Sequence, residues 1–376
     1  MPAPYMVERF NALADRGRFD FEAWFNERLA SDRSWIVDEK SWKFRYRYMP
    51  SIKVGRWHLR FPLPLLGRRP PDVLVSLYAE PSFLVGWAIA RARNRRTMFR
   101  VLAPSEAWVK RRWWKEAIKR SLFRRVDGVE TPGSQAAEYA KKYNAPEDKI
   151  FHARHTVDIE HFLAGRAAAL PEREQFRAQQ GLKGVTFVYV GRLWWGKGVN
   201  YLLDGFAEVQ RRLGGSEVSL LLLGDGADEE KLREQCRLNG IRNVIFAGFK
   251  QKPELPRYFV AADVFVFPTL GDPYGLVVDE AMACSLPIIS TSEAGEIRDR
   301  VDEGVNGYVV PARDSQALAD RMEQVARSPE GRNRMGAASF EKIKDHTAEG
   351  WAKDFEYAIE QVVQQSRPKG RAPGRG

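Results

Sequence analysis

TFVYVGRLWWGKGVNYLLDGFAEVQRRLGGSEVSLLLLGDG, residues 186–226, decides the fold in one run. TFVYVGRL (186–193) is β-rich and apolar and ends in glycine and arginine. VNYLLDGFAEVQRRL (199–213) repeats apolar residues at helical spacing, and EVSLLLLGDG (217–226) is a second apolar strand closed by glycines. Strands that are almost continuously apolar and separated by a helix predict a parallel sheet covered on both faces. The alternation continues through NVIFAGF (243–249), DVFVFPT (263–269), PIISTS (287–292) and GYVVP (307–311), with helical stretches near EEKLREQCRLNG, ELPRYFVAA and VVDEAMACS and a long amphipathic helix after them. This half is predicted to be a doubly wound, Rossmann-like α/β domain.

The first half alternates less cleanly. Strands are predicted within 19–25, 42–50, 71–78, 96–103, 126–133 and 149–158, and helices over 81–92, 107–123 and 134–143. The opening MPAPYMVERFNALADRG reads as a proline loop and an amphipathic helix, so the first strand expected of such a domain is either absent or upstream of Met1. The length of 376 residues suits two domains. Their expected bounds are 1–165 for the first domain, 166–183 for a polar, alanine-rich linker with one helix in EREQFRAQ, and 184–349 for the second domain. A C-terminal helix is expected over 350–365, crossing back to the first domain, and a disordered basic tail over 366–376.

The net charge of +11 is not shared evenly. Residues 1–170 carry 32 Lys and Arg against 19 Asp and Glu, whereas residues 171–376 carry 28 against 30. A polyanionic partner is therefore expected at the first half, with an anionic membrane surface and nucleic acid as the two candidates. The two cysteines, Cys236 and Cys284, fall in amphipathic stretches and read as reduced, buried side chains. No stretch approaches the roughly 18–20 consecutive apolar residues needed to cross a bilayer, and a basic-then-apolar secretory pattern is missing, so a cytoplasmic location is expected.

Ligands of a doubly wound sheet bind at the carboxyl ends of its strands. VGRLWWGKG places Arg192 and Lys197 just beyond such an end, where a planar fork and a mobile point charge suit a diphosphate. Alone, two basic residues read first as solvated cations; Gly191, Gly196 and Gly198 favour close approach of a ligand. The GDG at 224–226 is weak evidence and reads equally as a plain tight turn. GDPYGLVVDEAMACSLP, Gly271 to Pro287, follows another strand end. It sets Asp272 in a loop and Glu280 in the second turn of a helix whose N-terminus would attract phosphate. Either the two acids hold hydroxyls around a phosphate site, or Asp272 caps the helix and Glu280 is a solvated face residue.

The ordered set GRLxxxKG, GDG, NVIFAGF and DPYGLVVDEAMACSLPII resembles the retaining glycosyltransferases of family 4, strongly over residues 186–311 and weakly over the first half. The resemblance implies the GT-B fold, two Rossmann-like doubly wound domains facing each other across a cleft. It implies that Arg192, Lys197 and Asp272 form the catalytic set around a nucleotide-diphosphate sugar. Gly191, Gly248, Phe249, Tyr274, Gly275, Leu276 and Glu280 would bind the donor, with the N–H groups of 274–276 toward sugar and phosphate and Glu280 on the ribose. Asp272 stands where the family has Glu, about 1.5 Å shorter in reach, which bears on the choice of sugar. The family's histidine after the fourth strand of the first domain is missing from FRVLAPSEAW, and Glu106 is the nearest acidic substitute on the acceptor side. His155 of HTVD reads as a structural residue. No DxD pair is present to bridge a metal, so transfer without metal or other cofactor is expected.

In WVKRRWWKEAIKRSLFRR (108–125), Trp114, Ile118 and Leu122 fall at helical spacing among basic residues. Trp113, Trp114, Lys115, Ile118 and Lys119 would suit an interface between headgroups and acyl chains; the plainer reading, compatible with it, is an apolar stripe packed on the domain's own sheet with solvated charges. The expected function is a retaining hexosyltransferase, metal-independent and peripheral at the inner membrane face. It would pass a sugar from a nucleotide-diphosphate sugar to a saccharide or lipid-linked acceptor in polysaccharide or lipopolysaccharide assembly. The alternatives are a nucleotide-sugar epimerase on the same fold and, from another class, a nucleic-acid-binding protein. The sequence has no recognised nucleic-acid motif, so no nucleic-acid partner is expected.

Overall fold

The computed structural model describes residues 3–27, 38–54, 57–60, 62–77, 81–102, 112–214 and 218–365. The described chain divides into two compact units, one of residues 3–102, 112–155 and 348–365 and one of residues 156–347. Glu106 and the basic tail from Ser366 lie outside the described residues.

The first unit begins with α1 (Pro4–Arg16), followed by β1 (Glu22–Phe25), β2 (Arg45–Tyr48), β3 (Ser51–Val54) and β4 (Trp57–Arg60). Strands β1 and β2 form a parallel pair, and β3 and β4 an antiparallel hairpin that the sequence reading did not anticipate. The central sheet follows: β5 (Val73–Leu77), α2 (Pro81–Ala92), β6 (Arg96–Arg100), α3 (Trp113–Arg125), β7 (Gly128–Thr131), α4 (Ser134–Lys142) and β8 (Ile150–His152). Its four strands are parallel in the order β5-β6-β7-β8. Successive side chains of β6 serve opposite faces, as the pleat requires. Phe99 meets Phe123 of α3 with ring centroids 5.5 Å apart, while Met98 joins the cluster of Leu13 on α1 with Trp351, Phe355 and Val362 near the C-terminus.

The second unit contains α5 (Ile159–Ala169), α6 (Arg173–Gln179), β9 (Val185–Val190), α7 (Val199–Arg212), β10 (Val218–Leu223), α8 (Glu229–Leu238) and β11 (Val244–Gly248). It continues with α9 (Leu255–Ala261), β12 (Val264–Phe267), α10 (Leu276–Ala283), β13 (Ile288–Thr291), α11 (Ile297–Arg300), β14 (Gly307–Val310), α12 (Ser315–Ala326) and α13 (Pro329–Ile343). Six parallel strands run in the order β11-β10-β9-β12-β13-β14. Every residue of β10 is buried, which is why VSLLLL is apolar without alternation. Helix α7 turns Leu202, Leu203, Phe206 and Val209 inward, and Asp314 and Ser328 cap α12 and α13 by accepting backbone N–H groups.

The stretch 166–183, expected as a linker with one helix in it, carries that helix as α6 but is part of this unit rather than a connector. Arg173 and Arg177 of α6 both pair with Asp263, at 2.7 and 3.3 Å, and Phe176 and Leu182 enter the core. An alanine-rich polar stretch looks like a connector because its few apolar residues are spaced for one helix face rather than for a strand. The last helix, α14 (Ala348–Gln364), belongs to the first unit and packs against α1, with Arg16 of α1 on Glu349 and Glu356.

Candidate functional site

The strand order of the second unit reverses between β9 and β12, and the crevice beyond the carboxyl ends of strands at such a reversal is where open α/β sheets hold ligands. The loop after β9 carries Gly191, Arg192 and Lys197, and the loop after β12 carries Asp272. These two loops are tied together. Leu270 donates its backbone N–H to the Gly196 carbonyl at 3.0 Å, and Lys197 Nζ pairs with the Asp272 carboxylate across 75 positions of sequence.

Lys197 and Asp272 keep 17% and 15% of their side-chain surface exposed, so the pair is shielded yet reachable. Burial pushes the Asp272 carboxyl up, but the Lys197 charge and hydrogen bond, with the Tyr274 N–H, outweigh it and hold the group below its ordinary value. That N–H donates to Asp272 Oδ1 at 3.0 Å. Two sequence expectations are thereby corrected. Asp272 does not cap α10, whose N-cap is Gly275, and the Tyr274 N–H turns back to Asp272 instead of outward to a ligand. The reason is the short side chain, which closes a local turn on the amide two residues on.

Gly275 has φ +72, and a Cβ there would lie 2.6 Å from the Phe267 ring, so only glycine fits where α10 starts. The first N–H groups of α10 have no partner within the helix. Glu280 lies in the second turn of α10, half-buried. Gly248 closes β11, two strands from β9, with Phe249 after it. At about 4.8 Å per strand, the span from β11 to β12 is about 14 Å, the extent of a nucleoside diphosphate laid across the strand ends. The Arg192 guanidinium lies 5.8 Å from the Trp194 ring centre, and its backbone carbonyl accepts the Tyr189 hydroxyl at 2.8 Å.

Sequence reasoning missed Asp279 and Arg300, both buried and paired at 3.0 Å beneath the loop. The sequence reading singled out neither, and only helical phase relative to Glu280 could have signalled that Asp279 faces inward. Among the described residues, no group of three or more His, Cys, Asp and Glu side chains is placed to hold a metal ion. Cys236 and Cys284 are free thiols, half-buried and buried.

In the first unit, Phe123 is the buried residue of α3, while Trp113, Trp114 and Ile118 are 83%, 42% and 43% exposed. The helix thus packs on its own sheet through Phe123 and leaves these three exposed. Lys115 lies over the Trp114 ring at 5.5 Å. Lys119, expected at a membrane surface, turns inward to Glu116 and the Tyr139 hydroxyl, so it leaves that set. His155 is buried and hydrogen-bonded to Arg9, also buried, as a structural residue would be.

The family model described as "Glycosyl transferases group 1" matches residues 184–328. An uncharacterized glycosyltransferase of Methanocaldococcus jannaschii, MJ1607, is 28% identical over 208 residues, 54% of this chain and 52% of that protein. A D-inositol 3-phosphate glycosyltransferase of Frankia alni is 29% identical over 231 residues, 58% of this chain and 55% of that protein. The chain thus spans about half the length of these curated relatives. Among solved structures, Alr3699/HepE of Anabaena in complex with UDP superposes with a TM-score of 0.75 at 16% identity, over 96% of this chain and 97% of that one. The sucrose-phosphate synthase of Thermosynechococcus elongatus gives 0.76 at 20% identity, over 96% and 93%. At these identities the structural likeness speaks for the fold, and the family match for the second unit. Residues 184–328 match the group 1 glycosyltransferases, and the chain has a GT-B fold of two Rossmann-like domains.

Proposed function

We propose that this protein transfers a sugar, with retention and without a metal, from a nucleotide-diphosphate sugar to a saccharide or lipid-linked saccharide. The observation that carries the reading is the Lys197–Asp272 pair at the β9/β12 reversal, beside the N-terminus of α10. As the bond from the anomeric carbon to the diphosphate breaks, negative charge gathers on the leaving phosphate oxygen. Arg192, Lys197 and the first N–H groups of α10 are preorganised cations and dipoles that stabilise it. Lys197 exchanges part of its contact with Asp272 for a phosphate oxygen, and Asp272 stays beside the sugar. The acceptor hydroxyl attacks from the face the diphosphate leaves, and its proton passes to the departing phosphate oxygen. Glu280 accepts the ribose hydroxyls, and Gly248 and Phe249 face the base.

The acceptor side meets an anionic membrane at its cytoplasmic face through α3, in the assembly of cell-surface polysaccharide or lipopolysaccharide. Exposed Trp113, Trp114 and Ile118, with Lys115 beside them, support this, because aromatic rings and cations together suit the headgroup boundary. Among the described residues, no helix is long and apolar enough to cross a membrane.

Thermal protection by a panel of nucleotide-sugars tests the donor site, since a ligand at one hundred times its dissociation constant adds about 2.7 kcal/mol. Protection by one donor, reduced in Lys197→Ala and in Glu280→Gln, is expected; undiminished protection in both variants would reject the site. Release of nucleotide that requires a saccharide acceptor separates transfer from epimerisation. Sedimentation with phosphatidylglycerol vesicles is expected to deplete the wild type and to spare Trp113→Ala/Trp114→Ala. Equal depletion of the two would remove α3 as the contact.

A further inference from the structure

Arg300, the last residue of α11, is 2% exposed, and all five of its N–H donors are engaged. Nε donates to the Glu296 carbonyl at 3.4 Å. Nη1 donates to the Gly275 carbonyl and to Asp279 Oδ1, each at 3.0 Å. Nη2 donates to the Gly295 carbonyl at 2.7 Å and to the Tyr274 carbonyl. The guanidinium also stacks 4.4 Å from the Tyr274 ring centre. Burial pushes the Asp279 carboxyl up, and the Arg300 charge offsets part of that.

The backbone groups gripped here belong to two loops at the donor site. In a planar trans peptide the N–H points opposite to the C=O of the same unit. The Tyr274 carbonyl shares its unit with the Gly275 N–H, and the Gly275 carbonyl shares its unit with the Leu276 N–H. Drawing both carbonyls down onto Arg300 therefore aims both N–H groups up, away from the core and toward the strand ends. The second loop is locked to the first. Gly295 donates to the Asp272 carbonyl at 2.7 Å, Asp272 donates to the Glu293 carbonyl at 3.2 Å, and a Cβ on Gly295 would lie 2.1 Å from the Pro273 oxygen.

We infer that Arg300 is a positioning residue for the donor diphosphate, fixing the two peptide planes of residues 274–276 so that their N–H groups meet phosphate oxygens. The inference rests on the donor-site reading above. It concerns the phosphates alone, because the nucleoside is held from β11 and Glu280, which Arg300 does not touch.

The test compares binding of UDP, GDP and ADP with binding of the matching nucleosides, in the full chain. Arg300→Met combined with Asp279→Leu replaces the buried ion pair by apolar side chains, a change that is often neutral for stability. Its melting temperature is expected to stay within a few degrees of the wild type. Its affinity for the preferred diphosphate falls at least about tenfold, the scale of losing hydrogen bonds to a charged group, while nucleoside affinity stays within about twofold. Should that variant not fold, Arg300→Lys, which keeps the charge but not the planar fork, is expected to give the same selective loss. A folded variant that binds the diphosphate as tightly as the wild type overturns the inference and leaves the donor site standing. Equal losses for diphosphate and nucleoside overturn it as well, since they mark general collapse of the site. A wild type that binds none of the three diphosphates removes the donor-site reading and this inference with it.

Discussion

The four-stranded sheet of the first unit and the six-stranded sheet of the second each hold an ion pair at the carboxyl ends of their strands, and the two pairs are built differently. In the first unit, Arg100 ends β6 and meets Glu130 of β7 at 3.0 Å. Glu130 is fully buried, and burial pushes its carboxyl up more strongly than Arg100 and Arg9 pull it down. Trp351 of α14 lies over the Arg100 guanidinium at 5.5 Å and helps seal the pair. In the second unit, Lys197 and Asp272 remain partly exposed, and the neighbouring charge holds the Asp272 carboxyl down. One topological position thus serves two ends. A sealed pair specifies packing, because opening it strands a charge; a shielded but reachable pair can exchange one partner for a ligand.

The largest effect should come from breaking the sealed pair. Arg100→Met is expected to cost about 3–5 kcal/mol in denaturant unfolding while donor affinity holds, and adding Glu130→Leu should recover most of the loss. Lys197→Ala should show the opposite profile, with kcat/KM for transfer falling about 10²- to 10³-fold and unfolding changing by less than it does in Arg100→Met. If Lys197→Ala instead unfolded the chain with turnover per folded molecule intact, the contrast between the two pairs would be gone. Glu280→Gln should weaken the donor about tenfold in calorimetric titration and spare inorganic pyrophosphate, because the lost bond is to ribose.

Asp272→Asn gives the smallest effect and the sharpest sign. The folded-state carboxyl lies below its ordinary value of 3.8, so the native state binds fewer protons than the unfolded chain. Its contribution is complete at neutral pH and is lost as pH falls through 3.8 and below. The variant's stability curve should accordingly be flatter than the wild type's below about pH 5. An unchanged acid limb would show that the pair adds nothing to the fold.

The legibility of these features in the sequence follows the range of the interactions that make them. Strands β9, β10, β12 and β13 were readable because burial on both faces forces unbroken apolar runs, and the spacing of GRLxxxKG and of Asp272 to Glu280 survives as a local pattern. The hairpin of β3 and β4 was not, since SIKVGRWHLR mixes charge and apolar residues without a turn dipeptide to mark it. Within residues 166–183 the helix in EREQFRAQ was readable but its attachment was not, because composition alone does not separate a solvated connector from a helix pinned by Arg173 and Arg177 to Asp263.

By itself, then, the sequence determined the parallel α/β architecture, the strand ends that carry the cations, and the family signature of the second unit. These are local properties, set by side-chain period and by glycines at tight turns. Only the tertiary structure decided that Lys197 holds Asp272, that Trp113, Trp114 and Ile118 face outward, and that Arg300 grips loops 4 to 26 residues behind it. Each of those depends on which surfaces meet when helices pack on a sheet, and a charged residue carries no local mark of whether it will be buried. An arginine with five acceptors is legible only after the backbone that supplies them has folded.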